Sequence, residues 1–121
     1  MKKVLLVEDD VVLHDLYKEA LTPHDITVTA VTTGKECIAS ALTNAPDLVM
    51  LDIMLPGGMN GFDVARELRQ NPKTSATPIL ILTNLDSEKA SADAVKAEYM
   101  VKTNTSMDEI VGKVKSMLNM A

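Results

Sequence analysis

The sequence predicts an α/β fold: a doubly wound (βα)5 three-layer sandwich on a five-stranded parallel sheet. Three observations carry that prediction. Strand-like and helix-like segments alternate strictly along the chain. Most strand segments are short continuous apolar runs, such as Val4 to Val7, and not alternating ones. The 121 residues, 46% of them hydrophobic, make one domain with a real core and no room for a second. Parallel neighbours need a crossover, helices supply it, and its fixed hand puts helices on both faces of the sheet. A continuous apolar run is then a strand covered on both faces.

The first strand, KVLLV from Lys3 to Val7, ends in three acids, Glu8, Asp9 and Asp10. DVVLHDLYKEAL follows, with Leu13, Leu16, Tyr17 and Ala20 at helical spacing, and stops at Thr22-Pro23. Ile26 to Val31 alternates apolar residues with threonine, as a strand does. Thr33 and Glu36 form a capping-box pair that opens a helix running to about Asn44, before Pro46. DLVMLD, Asp47 to Asp52, is the third strand and again ends in an acid. The loop IMLPGGMNG leads to a helix in FDVARELRQ, which Asn71-Pro72 ends. TPILILT is a fourth strand ending at Thr83, SEKASADAVKA a small, weakly amphipathic helix, and EYMVK a fifth strand ending at Lys102. Ser106 and Glu109 cap the last helix, which presents Ile110, Val114, Met117 and Leu118.

In open parallel sheets the working crevice lies at the carboxyl ends of the strands. Those ends carry Glu8, Asp9 and Asp10, then Asp52, Thr83 and Lys102. Crowded carboxylates in a poorly hydrated place must take up protons, find cations or hold a metal. With oxygen ligands and no paired His or Cys, the ion is a hard one, Mg²⁺ with water completing the octahedron. Such an ion leaves room for a phosphoryl oxygen. Lys102 offers it a second positive charge, Thr83 a hydroxyl, and Asp52 a carboxylate able to take the phosphoryl group as a mixed anhydride.

Composition excludes other roles. The net charge is −5 and the aromatics are Tyr17, Phe62 and Tyr99, which gives neither a basic footprint nor a stacking platform, so direct nucleic-acid binding is not expected. No apolar stretch is long enough to span a membrane, and no signal peptide precedes the first strand, so a cytoplasmic location is expected. Cys37 sits in a helical pattern with Ile38, Ala41 and Leu42 and reads as a buried core thiol. His14 and His24 have no partner at ligand spacing and read as surface or helix-end residues.

The segments LLVEDD, DLVMLDIMLPGGMNGFD, PILILT and YMVK, in this order and spacing, resemble the receiver domain of two-component response regulators, including its single-domain chemotaxis form. The resemblance covers essentially the whole chain, read as one receiver over residues 1–121. It implies the flavodoxin-like strand order 2-1-3-4-5. It also implies that Asp52 accepts phosphate from a histidine kinase or phosphotransfer protein, with Asp9 and Asp52 as direct Mg²⁺ ligands. Glu8 would act through water, and the backbone carbonyl of Met54 would supply a third protein oxygen. Asp10 falls outside that pocket, as a helix cap or surface acid. Thr83 and Lys102 would bind the phosphoryl oxygens, and Tyr99 would change rotamer with Thr83. The face around the fourth helix, fifth strand and fifth helix would then switch toward a downstream output protein or domain. Such a chain is not an enzyme acting on a separate substrate: it phosphorylates itself from a donor and loses the group by hydrolysis. The resemblance also implies that the side chains two past the phosphorylated Asp and two past the Thr place the hydrolytic water; here these are Met54 and Leu85, which cannot orient a water, so slow self-dephosphorylation is expected.

Two departures stand out. Gly57-Gly58 reads as a one-residue insertion at a flexible turn. Lys102 is followed by Thr103 where the family has proline in a cis peptide, and since a cis bond before a non-proline costs about 2.5–4 kcal/mol, a trans bond is expected. Other classes fit less well. A flavodoxin-like FMN binder needs a phosphate-cradling first loop, which Glu8-Asp9-Asp10 would repel. A haloacid-dehalogenase-like phosphatase has a second Asp two residues after its nucleophile, where this chain has Met54. A receiver-like module that binds a partner without being phosphorylated is the remaining alternative, and a small phosphodonor separates it from a true phosphoacceptor.

Overall fold

The computed structural model describes residues 1–84 and 89–120. In chain order the elements are β1 (Lys2–Val7), α1 (Val11–Leu21), β2 (Ile26–Val31), α2 (Gly34–Asn44), β3 (Leu48–Asp52), α3 (Gly61–Gln70), β4 (Ile79–Thr83), α4 (Lys89–Ala94), β5 (Glu98–Val101) and α5 (Met107–Met117). All strand pairs are parallel and the sheet order is β2-β1-β3-β4-β5, as expected.

The two-residue period of a strand divides the core into two layers. Val4, Leu6, Leu48, Met50, Leu80 and Leu82 face one side, where Tyr17 and Leu21 of α1 and Ile110 and Val114 of α5 cover them. Leu5, Val7, Val49, Leu51, Ile79 and Ile81 face the other, beneath Cys37 and Ala41 of α2, Val64 and Leu68 of α3, and Ala92 of α4. Both faces are therefore dry, and the central strands read as unbroken apolar runs because each face needs its own set. Cys37 is fully buried, which pushes its thiol up to about 12 and leaves it inert, as its sequence context suggested.

The caps explain where helices begin. Asp10 Oδ1 accepts from the N–H groups of Val12 and Leu13 at 2.9 and 3.4 Å, so this third acid is the N-cap of α1. Thr33 accepts from Glu36 N at 3.2 Å, while the Glu36 carboxylate takes the N–H and hydroxyl of Thr32 and the hydroxyl of Thr33. The expected reciprocal box is thus shifted one residue upstream on its return side. Ser106 and Glu109 close a complete box at α5.

Three expectations need correction. Helix α3 starts at Gly61, one residue before the Phe62 that the sequence pattern predicts, because Asn60 in the loop and Asp63 in the helix form a capping box. The fourth helix was expected over 87–97; Ser87 and Glu88 lie outside the described residues, and α4 stops at Ala94, where Lys96 turns left-handed (φ 56°) and Ala97 N returns to the Ala92 carbonyl at 3.0 Å. Strand β5 ends at Val101, and Lys102 opens a one-turn 3₁₀ segment instead of closing the strand. No cis peptide bond occurs among the described residues, so the bond from Lys102 to Thr103 is trans, as expected. Among the described residues no helix is long and apolar enough to cross a membrane.

Candidate functional site

Register brings the predicted residues to one rim. Val7 pairs with Leu51, so the next residues, Glu8 and Asp52, stand side by side at the ends of β1 and β3. Asp52 pairs with Leu82, one residue before Thr83, and Thr83 pairs with Val101, one residue before Lys102. Residues up to 94 apart in sequence thereby share one edge.

The side chains complete the arrangement. Lys102 Nζ donates to Glu8 Oε2 and to Asp52 Oδ2, each at 3.0 Å, and so bridges the first and third strands from the fifth. Oxygens of Glu8, Asp9 and Asp52 lie within 4.8 Å of one another, a cluster able to hold a metal ion. Glu8 is buried, at 3% exposure, Asp52 is half-buried and Asp9 is exposed, so the cluster grades from core to solvent and stays open on one side. The other oxygen of Asp52 receives the Met54 N–H at 3.4 Å. The Met54 side chain stands on the rim at 74% exposure.

Three carboxylates face one ammonium here. Burial pushes the Glu8 carboxyl up to about 7, and the neighbouring Asp52 carboxylate adds to that rise while Lys102 opposes it. For Lys102, burial works against the charge, but hydrogen bonds and the fields of Glu8 and Asp52 prevail and its pKa is raised. A carboxyl raised in the folded state holds a proton that the unfolded chain has lost. Metal-free stability should therefore fall as pH rises from about 4.3, the ordinary glutamate value, to about 7. Added Mg²⁺ favours the ionised form and should flatten that fall. Thermal melts across pH 4 to 8, with Mg²⁺ or with chelator, check this; identical profiles in both would remove Glu8 from the cluster.

Two positioning features were missed by sequence reading. Gly61 approaches the end of β3 so closely that a Cβ there would lie 2.4 Å from the Asp52 carbonyl oxygen. Its N–H donates to the Ile53 carbonyl at 2.9 Å, which ties the start of α3 to the strand end carrying Asp52. Glycine is required by that close approach, and the Asn-Gly pair beside a capping box was the available signal. The second is His14. Its Nε2 hydrogen-bonds the Glu8 backbone carbonyl, so this residue, expected in a surface or helix-end role, sits half-buried in the first turn of α1 and holds the turn behind the acids.

The residues expected to switch also share a face. Ile81 pairs with Tyr99, and Thr83 lies two residues beyond Ile81, so Thr83 and Tyr99 are diagonal neighbours on the side covered by α4. Thr83 is buried, and half-buried Tyr99 packs on the core layer containing Ala92 and Val95. Leu85, expected beside the site, lies outside the described residues.

A family model described as the response regulator receiver domain matches residues 4–115. The phosphate regulon transcriptional regulatory protein PhoB of Rhizobium meliloti is 34% identical over 123 residues, covering 100% of this chain and 54% of that protein. The chain thus spans about half the length of the curated regulators it matches first. The BeF3-activated N-terminal receiver domain of Klebsiella pneumoniae RstA is 32% identical, with a TM-score of 0.85 over 97% of this chain and 98% of that one. The receiver domain of the Pseudomonas aeruginosa sensor histidine kinase PA1611, solved with a magnesium ion in its active site cleft, also has a TM-score of 0.85, over 98% of each chain; at 24% identity it speaks for the fold. With the strand order, the acidic rim and its lysine already in place, these matches establish that the chain belongs to the response regulator receiver domain family, the phosphoacceptor domains of two-component systems.

Proposed function

We propose that Asp52 is the phosphoacceptor, that it takes its phosphoryl group from a phosphohistidine of a histidine kinase or phosphotransfer protein, and that Glu8, Asp9 and Asp52 hold Mg²⁺ for the transfer. The observation that carries this reading is the Lys102 ammonium set between Glu8 and Asp52 inside a three-carboxylate cluster. The donors are all oxygens that lie within 4.8 Å of one another, a set that would hold a hard ion such as Mg²⁺. When bound, the ion supplies the positive charge that lets an anionic phosphoryl group approach.

A carboxylate oxygen of Asp52 attacks the phosphorus; the new P–O bond forms as the P–N bond breaks, and the donor imidazole leaves with that electron pair and takes up a proton from solvent. Lys102 can exchange the Asp52 oxygen for a phosphoryl oxygen, and the Thr83 hydroxyl can donate to another. Drawing Thr83 toward the phosphoryl group frees space on the face it shares with Tyr99, and the region of α4, β5 and α5 shifts population toward an output partner. Met54 has no group to place a hydrolytic water in line, so the label decays slowly.

Intact-mass spectrometry after incubation with acetyl phosphate tests the reading. One phosphoryl group is expected with Mg²⁺ and none with chelator. The same samples should show altered amide exchange near Tyr99, and Met54→Asn should lose the group faster than wild type. A protein that stays unmodified, or is modified equally without Mg²⁺, contradicts the proposal and favours a module that binds its partner unphosphorylated.

A further inference from the structure

Lys102 contacts both Glu8 and Asp52, yet its own backbone lies one residue beyond β5, in a one-turn 3₁₀ segment. A long, flexible side chain delivers its ammonium to a fixed point only when its backbone is fixed. Thr103 follows it through a trans bond, so no proline ring supplies that rigidity.

Thr105 closes the turn instead. Its hydroxyl donates to the carbonyl of Val101, the last residue of β5, at 2.6 Å. Its N–H points to the carbonyl of Lys102 itself at 3.4 Å. The two acceptors flank the backbone dihedrals that aim the lysine, so one residue restrains them from both sides. Thr105 is half-buried and immediately precedes Ser106, whose capping box with Glu109 anchors the turn to α5. A threonine bonding back to a nearby carbonyl is common in turns. What distinguishes this one is that its partners are the residue before the active-site lysine and that lysine.

From this geometry we infer that Thr105 is a positioning residue for phosphoryl transfer, which aims Lys102 at Glu8 and Asp52 by closing the turn after β5. The inference rests on the reading of Asp52 as phosphoacceptor and adds a residue to its machinery. A small misplacement of a group that contacts the transferring phosphoryl lowers rate more than stability.

The test follows phosphorylation by acetyl phosphate at saturating Mg²⁺ in wild type, Thr105→Val and Thr105→Ser, and adds Thr105→Val to Lys102→Ala. Thr105→Val removes the hydroxyl at nearly constant volume and is expected to slow labelling by about tenfold, with Mg²⁺ affinity kept. Thr105→Ser, which retains the donor, should stay within about twofold of wild type. In the Lys102→Ala background the valine substitution should have no further effect, because the group being aimed is gone. A merely structural threonine would slow both backgrounds alike. Wild-type labelling of Thr105→Val, equal slowing by serine and valine, or an undiminished loss in the Lys102→Ala background would each overturn the inference. Failure of the underlying reading shows differently, as a wild-type chain that acetyl phosphate does not label, and it would take this inference with it.

Discussion

Asp52→Asn is expected to abolish phosphoryl incorporation from acetyl phosphate and, in the same molecule, to raise the melting temperature of the metal-free protein. The two effects have one origin. Glu8, Asp9 and Asp52 crowd three negative charges around a single ammonium, with Glu8 buried and its carboxyl pushed up to about 7. An amide at position 52 keeps an acceptor for Lys102 but removes a charge and the nucleophile together. A rise of a few degrees is expected, since about 1 kcal/mol moves the melting temperature of a domain of this size by roughly 4 °C. The response of the melt to Mg²⁺ should shrink in parallel, because a ligand is lost. Function maintained at a cost in stability is a common property of sites where charge is concentrated. Labelling of the variant at the wild-type rate would exclude Asp52, and a large drop in melting temperature would show that the acids are not in excess.

Gly61→Ala is the second large effect. A methyl group there would stand 2.4 Å from the Asp52 carbonyl oxygen and 3.0 Å from the Ile53 Cα, both backbone atoms that cannot rotate away. The glycine is also held by its 2.9 Å hydrogen bond to Ile53 and by the cap at Asn60, so relief requires α3 or the end of β3 to move. The expected cost is about 3 kcal/mol, measured by denaturant unfolding. Because the strand end that moves carries Asp52, the folded fraction should also be phosphorylated more slowly than wild type. Wild-type stability would mean that the loop has slack the geometry does not show. At Gly112, where an added Cβ meets nothing within 4 Å, alanine serves as the control and should be tolerated.

How much of this was legible in the sequence follows from what each feature depends on. Strands β1, β3 and β4 were legible because burial on both faces demands unbroken apolar runs, and the rim was legible because Glu8 and Asp9, Asp52, Thr83 and Lys102 stand at or just past the carboxyl ends of four strands. Local chemistry also marked the caps at Asp10 and Ser106. The requirement for Gly61 was hidden, since it arises from the Asp52 carbonyl of a different element. The contact of His14 was hidden for the same reason: its partner is a backbone carbonyl, which carries no sequence signature. Arg69 gave no signal at all. Its guanidinium donates to the carbonyls of Ser75, Thr77, Val95 and Lys96, joining the end of α3 to the turns before β4 and β5. Only the folded chain brings those carbonyls together. The sequence pattern carries β5 through Lys102, one residue too far, whereas the chain enters there a 3₁₀ turn that Thr105 closes.

A phosphoacceptor Asp52 forms an acyl phosphate, which chemical trapping locates. Borohydride reduces an acyl phosphate to the corresponding alcohol, and peptide mass spectrometry then locates the altered residue. After treatment with acetyl phosphate and Mg²⁺, reduction at residue 52 alone is predicted, with no reduction when Mg²⁺ is chelated. Reduction at Asp9 or any other acid, or a phosphorylated protein that leaves residue 52 unreduced, would exclude Asp52 as the phosphoacceptor.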